Sequence, residues 1–182
     1  MATKIALVGV GFALALSARP TEAGSREIGL KLEYSGSAMT HWDTNRDVIK
    51  PGMGILGCRS NLGRCTAQGI GHASVAGPAT CPNGNEGIKL TLIPGTGHGV
   101  TRFDRTGDLL FTEISSETVC YDPSTGTQFK SGTERITGGT GRFAGATGQT
   151  QFEGTQWPLY VDADGNGFAA QTGTLTGTII LR

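Results

Sequence analysis

The sequence predicts an all-β fold, and within that class an eight-stranded antiparallel up-and-down barrel. Three observations carry this expectation. Thirty glycines, frequent threonines and few Leu or Ala runs beyond the first residues disfavour helix and favour short strands joined by tight turns. Several segments alternate apolar with polar or small residues at a period of two, the signature of strands with one face in a core and the other in water. Roughly eight such segments follow one another with no helical segment between them, and their inward rows mix small and large side chains. That mixture suits the tapering interior of a small closed barrel better than a flat sandwich.

In chain order, the first segment is not part of this fold. MATKIALVGVGFALALSARPTEAG places Lys4 ahead of an apolar run from Ile5 to Leu16 and then small residues, the pattern of a secretory signal peptide. The run rises only about 18 Å as a helix, short of the roughly 30 Å core of a bilayer. Residues 1–23 are therefore expected to be removed, after Ala18 or Ala23. Residues 24–182 then form one domain, secreted or periplasmic, with no membrane association after processing. Export fits the four cysteines, Cys58, Cys65, Cys81 and Cys120, an even number that reads as two disulfides of open connectivity. Their gaps of 7, 16 and 39 residues lack the short paired spacings of a zinc site, and no histidine forms a nucleophile signature with any of them. Metal and cofactor are not expected. With 15 basic and 15 acidic residues and no charge run, nothing steers the chain to nucleic acid.

The first strand begins at Ile28, where Ile28, Leu30, Leu32 and Tyr34 alternate with Gly29, Lys31, Glu33 and Ser35. Residues 41–64, with Pro51 and several glycines and no steady period, read as a long surface loop tied down by Cys58. Strand texture returns in residues 65–76 and 88–93. GVTRF, DRTG and DLLFTEI have the spacing of a hairpin. SETVCYD, QFKSGTERITG, ATGQTQFEGTQW and FAAQTGTLTGTIIL supply the remaining strands. In the last two, Thr150 and Phe152, and Gly173, Leu175, Gly177 and Ile179, form inward rows opposite polar outward ones. DADGNGF resembles the start of a calcium loop, but position 12 is Gly173 where a bidentate Glu is required, so it reads as a polar hairpin turn.

ITGGTGRFAGATG, residues 136–148, formally contains G-x-G-x-x-A, the dinucleotide fingerprint. That fingerprint needs a helix to begin at the loop so that its free N–H groups meet the pyrophosphate, and the residues that follow alternate as a strand. The stretch reads as a tight strand-to-strand connection in which Gly138, Gly139 and Gly141 permit positive φ and Phe143 plugs one end of the barrel. ITGGTGRFAGATGQTQFEG followed by the closing GTLTGTIIL resembles the allene oxide cyclase and dirigent barrel superfamily, and Leu62, Gly63 and Arg64 resemble an L-G-R element of its secreted bacterial members. The resemblance covers roughly residues 60–182. It implies an eight-stranded antiparallel barrel with a mostly apolar lumen, often a trimer, hence a homo-oligomer. It also implies confinement of a reactive apolar molecule, as in cyclopentenone ring closure or stereoselective phenoxy coupling.

The leading functional expectation is a secreted barrel that binds or confines a small apolar ligand, fatty-acid-derived or phenolic, without an established turnover. A cyclase or coupling-directing enzyme and a purely structural barrel with a filled lumen are the alternatives. An open apolar cavity of about 300 Å³ or more supports the first two, and a packed interior the third; a polar cluster inside favours the enzyme. Leu32, Tyr34 and Phe111 are the candidate ligand-binding residues. Glu113 is the candidate acid: if the Leu109–Phe111–Glu113 face points inward, desolvation raises its pKa as general acid catalysis needs. The opposite register, burying Leu110 and Ile114, leaves it in solvent.

Overall fold

The computed structural model describes residues 24–43, 48–51 and 54–182. The expected signal peptide lies outside the described residues. The described residues are all-β, with eleven strands among them: β1 (Arg26–Asp43), β2 (Val48–Pro51), β3 (Ile55–Ser60), β4 (Gly63–Ile70), β5 (Ala73–Thr80), β6 (Glu86–Leu92), β7 (His98–Phe103), β8 (Leu109–Asp122), β9 (Thr127–Gly139), β10 (Thr147–Val161) and β11 (Asn166–Leu181). A 3-10 turn, Gly141–Phe143, interrupts them between β9 and β10. All pairings are antiparallel, and eight strands close into a ring in the order β1, β3, β4, β7, β8, β9, β10, β11 and back to β1.

The strands differ in how far they reach. β1 and β8–β11 are long and form a continuous wall, with β1 paired to β11 from Arg26↔Leu181 to His41↔Asn166. The facing wall divides. β8 pairs with β7 over Leu109–Glu113 and with β6 over Thr118–Tyr121, and its ladder with β9 shifts register between Ile114 and Ser116. That bulge bends the strand so that its two halves serve different neighbours. β1 divides likewise between β3 and β2. Between β4 and β7 the chain therefore makes an excursion through β5 and β6, and the eight ring strands follow one another in chain order with β2 and the β5–β6 pair inserted between them in sequence.

The loop expected over residues 41–64 is corrected in part. β3 lies inside it, paired with β1 and joined to β4 as a hairpin. Its glycines mimicked loop signals, but Gly54 marks a close approach, a Cβ there lying 3.0 Å from the Ser37 carbonyl oxygen of β1, and Gly63 takes the positive φ of +118° where β4 begins. Residues 44–47 and 52–53 of that stretch lie outside the described residues.

One end of the ring is packed solid. Leu30 and Leu32 of β1, Phe103 of β7, Leu110 of β8, Ile136 of β9 and Ile179 of β11 meet Phe143 from the 3-10 turn. Phe143 is 0% exposed, its ring centroid 4.9 Å from that of Phe103. The Arg142 guanidinium lies over both rings, 4.8 and 4.7 Å from their centroids, and pairs with Asp108 at 3.4 Å. Gly141 makes the turn possible with φ +56°, and Gly138 has φ +143°. Gly139, expected to share this freedom, does not have a positive φ; a Cβ there would instead strike the Leu109 carbonyl. The glycine-rich stretch is a strand connection.

All four cysteines are bridged. Cys58–Cys65 joins register partners on β3 and β4, and Cys81–Cys120 ties the end of β5 to β8. Two disulfides fit an oxidising compartment. Beside the second bridge, buried Asp122 accepts hydrogen bonds from Ser124, Asn85, Asn83 and Thr125, which hold its carboxyl well below the usual carboxylate range.

Candidate functional site: a polar pocket in the open half of the ring

β9 builds the site. Lys130, Glu134 and Ile136 share its inward face, with Gly132 between the first two, because side chains two apart on a strand point the same way. Ile136 joins the packed end, whereas Lys130 and Glu134 face a cavity of about 150 Å³. At Gly132 the missing side chain leaves room for the Phe152 ring, which lies against that position from β10. Register places Glu117 of β8 on the other side of Gly132.

Two polar belts cross the wall. In the first, the Lys130 ammonium donates to Gln156 Oε1 of β10 at 2.7 Å; Gln156 is the register partner of Gln171 on β11, and Gln171 hydrogen-bonds Tyr34 on β1. The Tyr34 ring is admitted by a pair of facing glycines, Gly154 and Gly173, where any Cβ would strike its hydroxyl. In the second belt, nearer the packed end, Thr150 Oγ1 donates to Glu134 Oε2 at 3.2 Å and Thr112 hydrogen-bonds the same carboxylate. Leu32, Leu56, Val100, Ile114 and Leu175 supply the apolar side of the cavity, which reaches the surface at Gly69, Ile70 and His98.

The enclosure acts on the charges. Desolvation raises the pKa of Glu134 above the ordinary carboxylate value and that of Tyr34 above the ordinary phenol value, and it lowers that of Lys130 below the ordinary amine value. Lys130 and Glu134 keep some accessible surface, and both line the cavity. The arrangement offers an amine, a carboxyl and a phenol to one small half-open volume, beside an apolar wall.

Of the residues expected from the sequence, Leu32 and Tyr34 line this cavity. Phe111 and Glu113 are corrections. Leu110, Thr112 and Ile114 take the inward face of β8, so Phe111 lies outside, 37% exposed, and Glu113 forms an ion pair with Arg135 on the outer surface. The acid inside is Glu134, with Glu117. Neither was singled out from the sequence, because an inward row of K-x-G-x-E has the hydropathy of an outward one. The cavity, at about 150 Å³ and carrying charge, is smaller than the open apolar cavity of about 300 Å³ that would mark a ligand-binding or enzymatic lumen outright. Gln156 borders in addition a wider cleft of about 610 Å³ beneath the β10–β11 turn. In that turn Asp162 accepts from the Asn166 backbone and side-chain amides and from Asp164 N, as a polar hairpin turn.

Comparison of the chain with protein-family models, with curated proteins and with solved structures finds no match.

Proposed function

We propose that the chain is an exported barrel of the allene oxide cyclase and dirigent type, and that its function is to bind one small molecule in the open half of the ring. The observation that carries this reading is the cavity itself: a half-open volume with an apolar wall of Leu32, Phe152 and Leu175 facing the Lys130–Gln156–Gln171–Tyr34 belt. A cavity of about 150 Å³ is the size that accepts a single aromatic ring. The phenolic half of the sequence expectation therefore fits the interior, and a long fatty-acid chain would need the outer cleft as well. Burying roughly 200 Å² of such a guest is worth about 5 kcal/mol, which after ordering costs leaves an affinity of about millimolar or weaker.

The test is calorimetry on the mature protein with phenol, benzyl alcohol and a long-chain fatty acid. The single-ring compounds are expected to bind, and Leu32→Trp, which fills the cavity, to abolish binding while the far-ultraviolet circular dichroism of the strands persists. No binding by any of the three would leave the structural reading, a ring closed around its own side chains. A second reading, a cyclase or coupling-directing enzyme, is favoured by Glu134, whose carboxyl pKa is raised by desolvation in the same cavity as Tyr34. Under that reading Glu134→Gln keeps ligand affinity and loses turnover.

A further inference from the structure

We infer that Lys130 is an amine nucleophile that forms an imine with a small aldehyde or ketone held in the inner cavity, an inference that rests on the pocket reading above. The first ground is its partner. The Lys130 amine contacts a neutral amide oxygen, Gln156 Oε1 at 2.7 Å, and no described carboxylate lies within ion-pair distance of it. A structural lysine inside a protein is ordinarily neutralised by a directly bonded acid. Here Glu117 acts on it only through space.

The second ground is what surrounds the amine. The residue opposite Lys130 on β10 is Gly154, and the space where a Cβ would project is occupied by the Tyr34 hydroxyl. A proton donor is thus placed across from the nucleophile. One inward position further along β9, Gly132 has no side chain and the Phe152 ring lies against it, giving an apolar surface for the body of the guest. Glu117 and Glu134 complete the titratable groups of the cavity, together with His98 at its mouth. Desolvation favours the uncharged amine, the form that attacks a carbonyl.

The step balances without an oxidant. The amine lone pair forms a C–N bond to the carbonyl carbon while the carbonyl π electrons move to oxygen, which takes a proton from the Tyr34 hydroxyl or the Glu134 carboxyl. The nitrogen loses one proton to the base so formed. Protonation of the carbinolamine hydroxyl then breaks the C–O bond, water leaves, and the nitrogen lone pair closes the C=N bond as the second amine proton departs. The net change is amine plus aldehyde to imine plus water.

The experiment is reductive trapping of the mature protein at neutral pH with benzaldehyde and cyanoborohydride, read by peptide mass spectrometry. Exposed Lys31 and Lys89 serve as internal references. The expected result is benzylation at Lys130 faster than at either reference, because desolvation leaves more of its amine uncharged, with phenol slowing it by competition. Lys130→Gln and Lys130→Arg should both lose the fast label, the second keeping the charge should the first fail to fold. Uniform labelling of the lysines, or labelling that spares Lys130 while benzyl alcohol still binds, would overturn the inference and leave the pocket reading intact. If neither benzaldehyde nor benzyl alcohol binds, both fall.

Discussion

The two halves of the ring interior are built from the same strands by the same alternation, yet they obey different rules. At the closed end the inward residues of β1, β7, β8, β9 and β11 are Leu30, Phe103, Leu110, Ile136 and Ile179, packed against Phe143. A few residues along the same strands, the inward positions become Tyr34, Glu117, Glu134, Lys130 and Gln171 around a cavity. The first arrangement removes apolar surface from water and stabilises the fold. The second holds charge against a desolvation cost and so adds little to stability. The closed half supports the open one: groups that individually favour leaving the interior stay aimed at a common volume because the strands carrying them are anchored below.

The comparison breaks most visibly in stability measurements. Phe143→Ala at the closed end should cost about 3 to 5 kcal/mol in denaturant unfolding, because a fully buried ring is lost and Arg142 loses one of its two stacking partners. The bridges should rank by the length of chain they close. The chain-entropy relation gives about 4 kcal/mol for Cys81–Cys120, with a separation of 39, and about 2 kcal/mol for Cys58–Cys65, with a separation of 7. Equal losses in the paired Cys→Ser variants would show that native-state packing, not chain entropy, sets their value. Gly141→Val should cost about 1 to 3 kcal/mol at positive φ, with a further clash against Asp108, and added nucleotides should not restore the melting temperature.

The smallest effects belong to the open half and sharpen the contrast by their size and sign. Lys130→Met should change stability by no more than about 1 kcal/mol, since the lost bond to Gln156 is offset by relief of the desolvated charge. A loss comparable to that of Phe143→Ala would mean that the charged belt is structural. Glu134 has a raised pKa in the folded state, so its contribution is fully present below the ordinary value of 4.5 and is lost as pH rises through the folded value. Glu134→Gln should remove that part of the pH slope. Asp122, whose pKa is lowered, acts in the opposite sense: its contribution is present above 3.8 and lost as pH falls. Urea midpoints of wild type and Glu134→Gln across mildly acidic to neutral pH separate the two.

The sequence by itself determined what is local. Alternation in Ile28–Tyr34 and Thr172–Ile179 specified strands whose inward and outward rows are as expected, since period two follows from backbone geometry alone. The glycine-rich connection was legible because no helix follows it, and the complete pairing of the cysteines was legible from their even number. Tertiary structure decided which face of an ambiguous strand turns inward and which inward residues meet. On β8 the inward positions run Leu110, Thr112, Ile114 and then, beyond the register shift at Ile114/Ser116, Glu117 and Val119. One inserted residue exchanges the two faces, removing Phe111 and Glu113 from the interior and bringing Glu117 into it. Likewise Lys130, Gln156, Gln171 and Tyr34 come from four strands, and only ring closure between β1 and β11 places the last beside the others. Hydropathy cannot register such residues, because a polar side chain facing a cavity and one facing solvent look alike along the chain; only the closed register tells them apart.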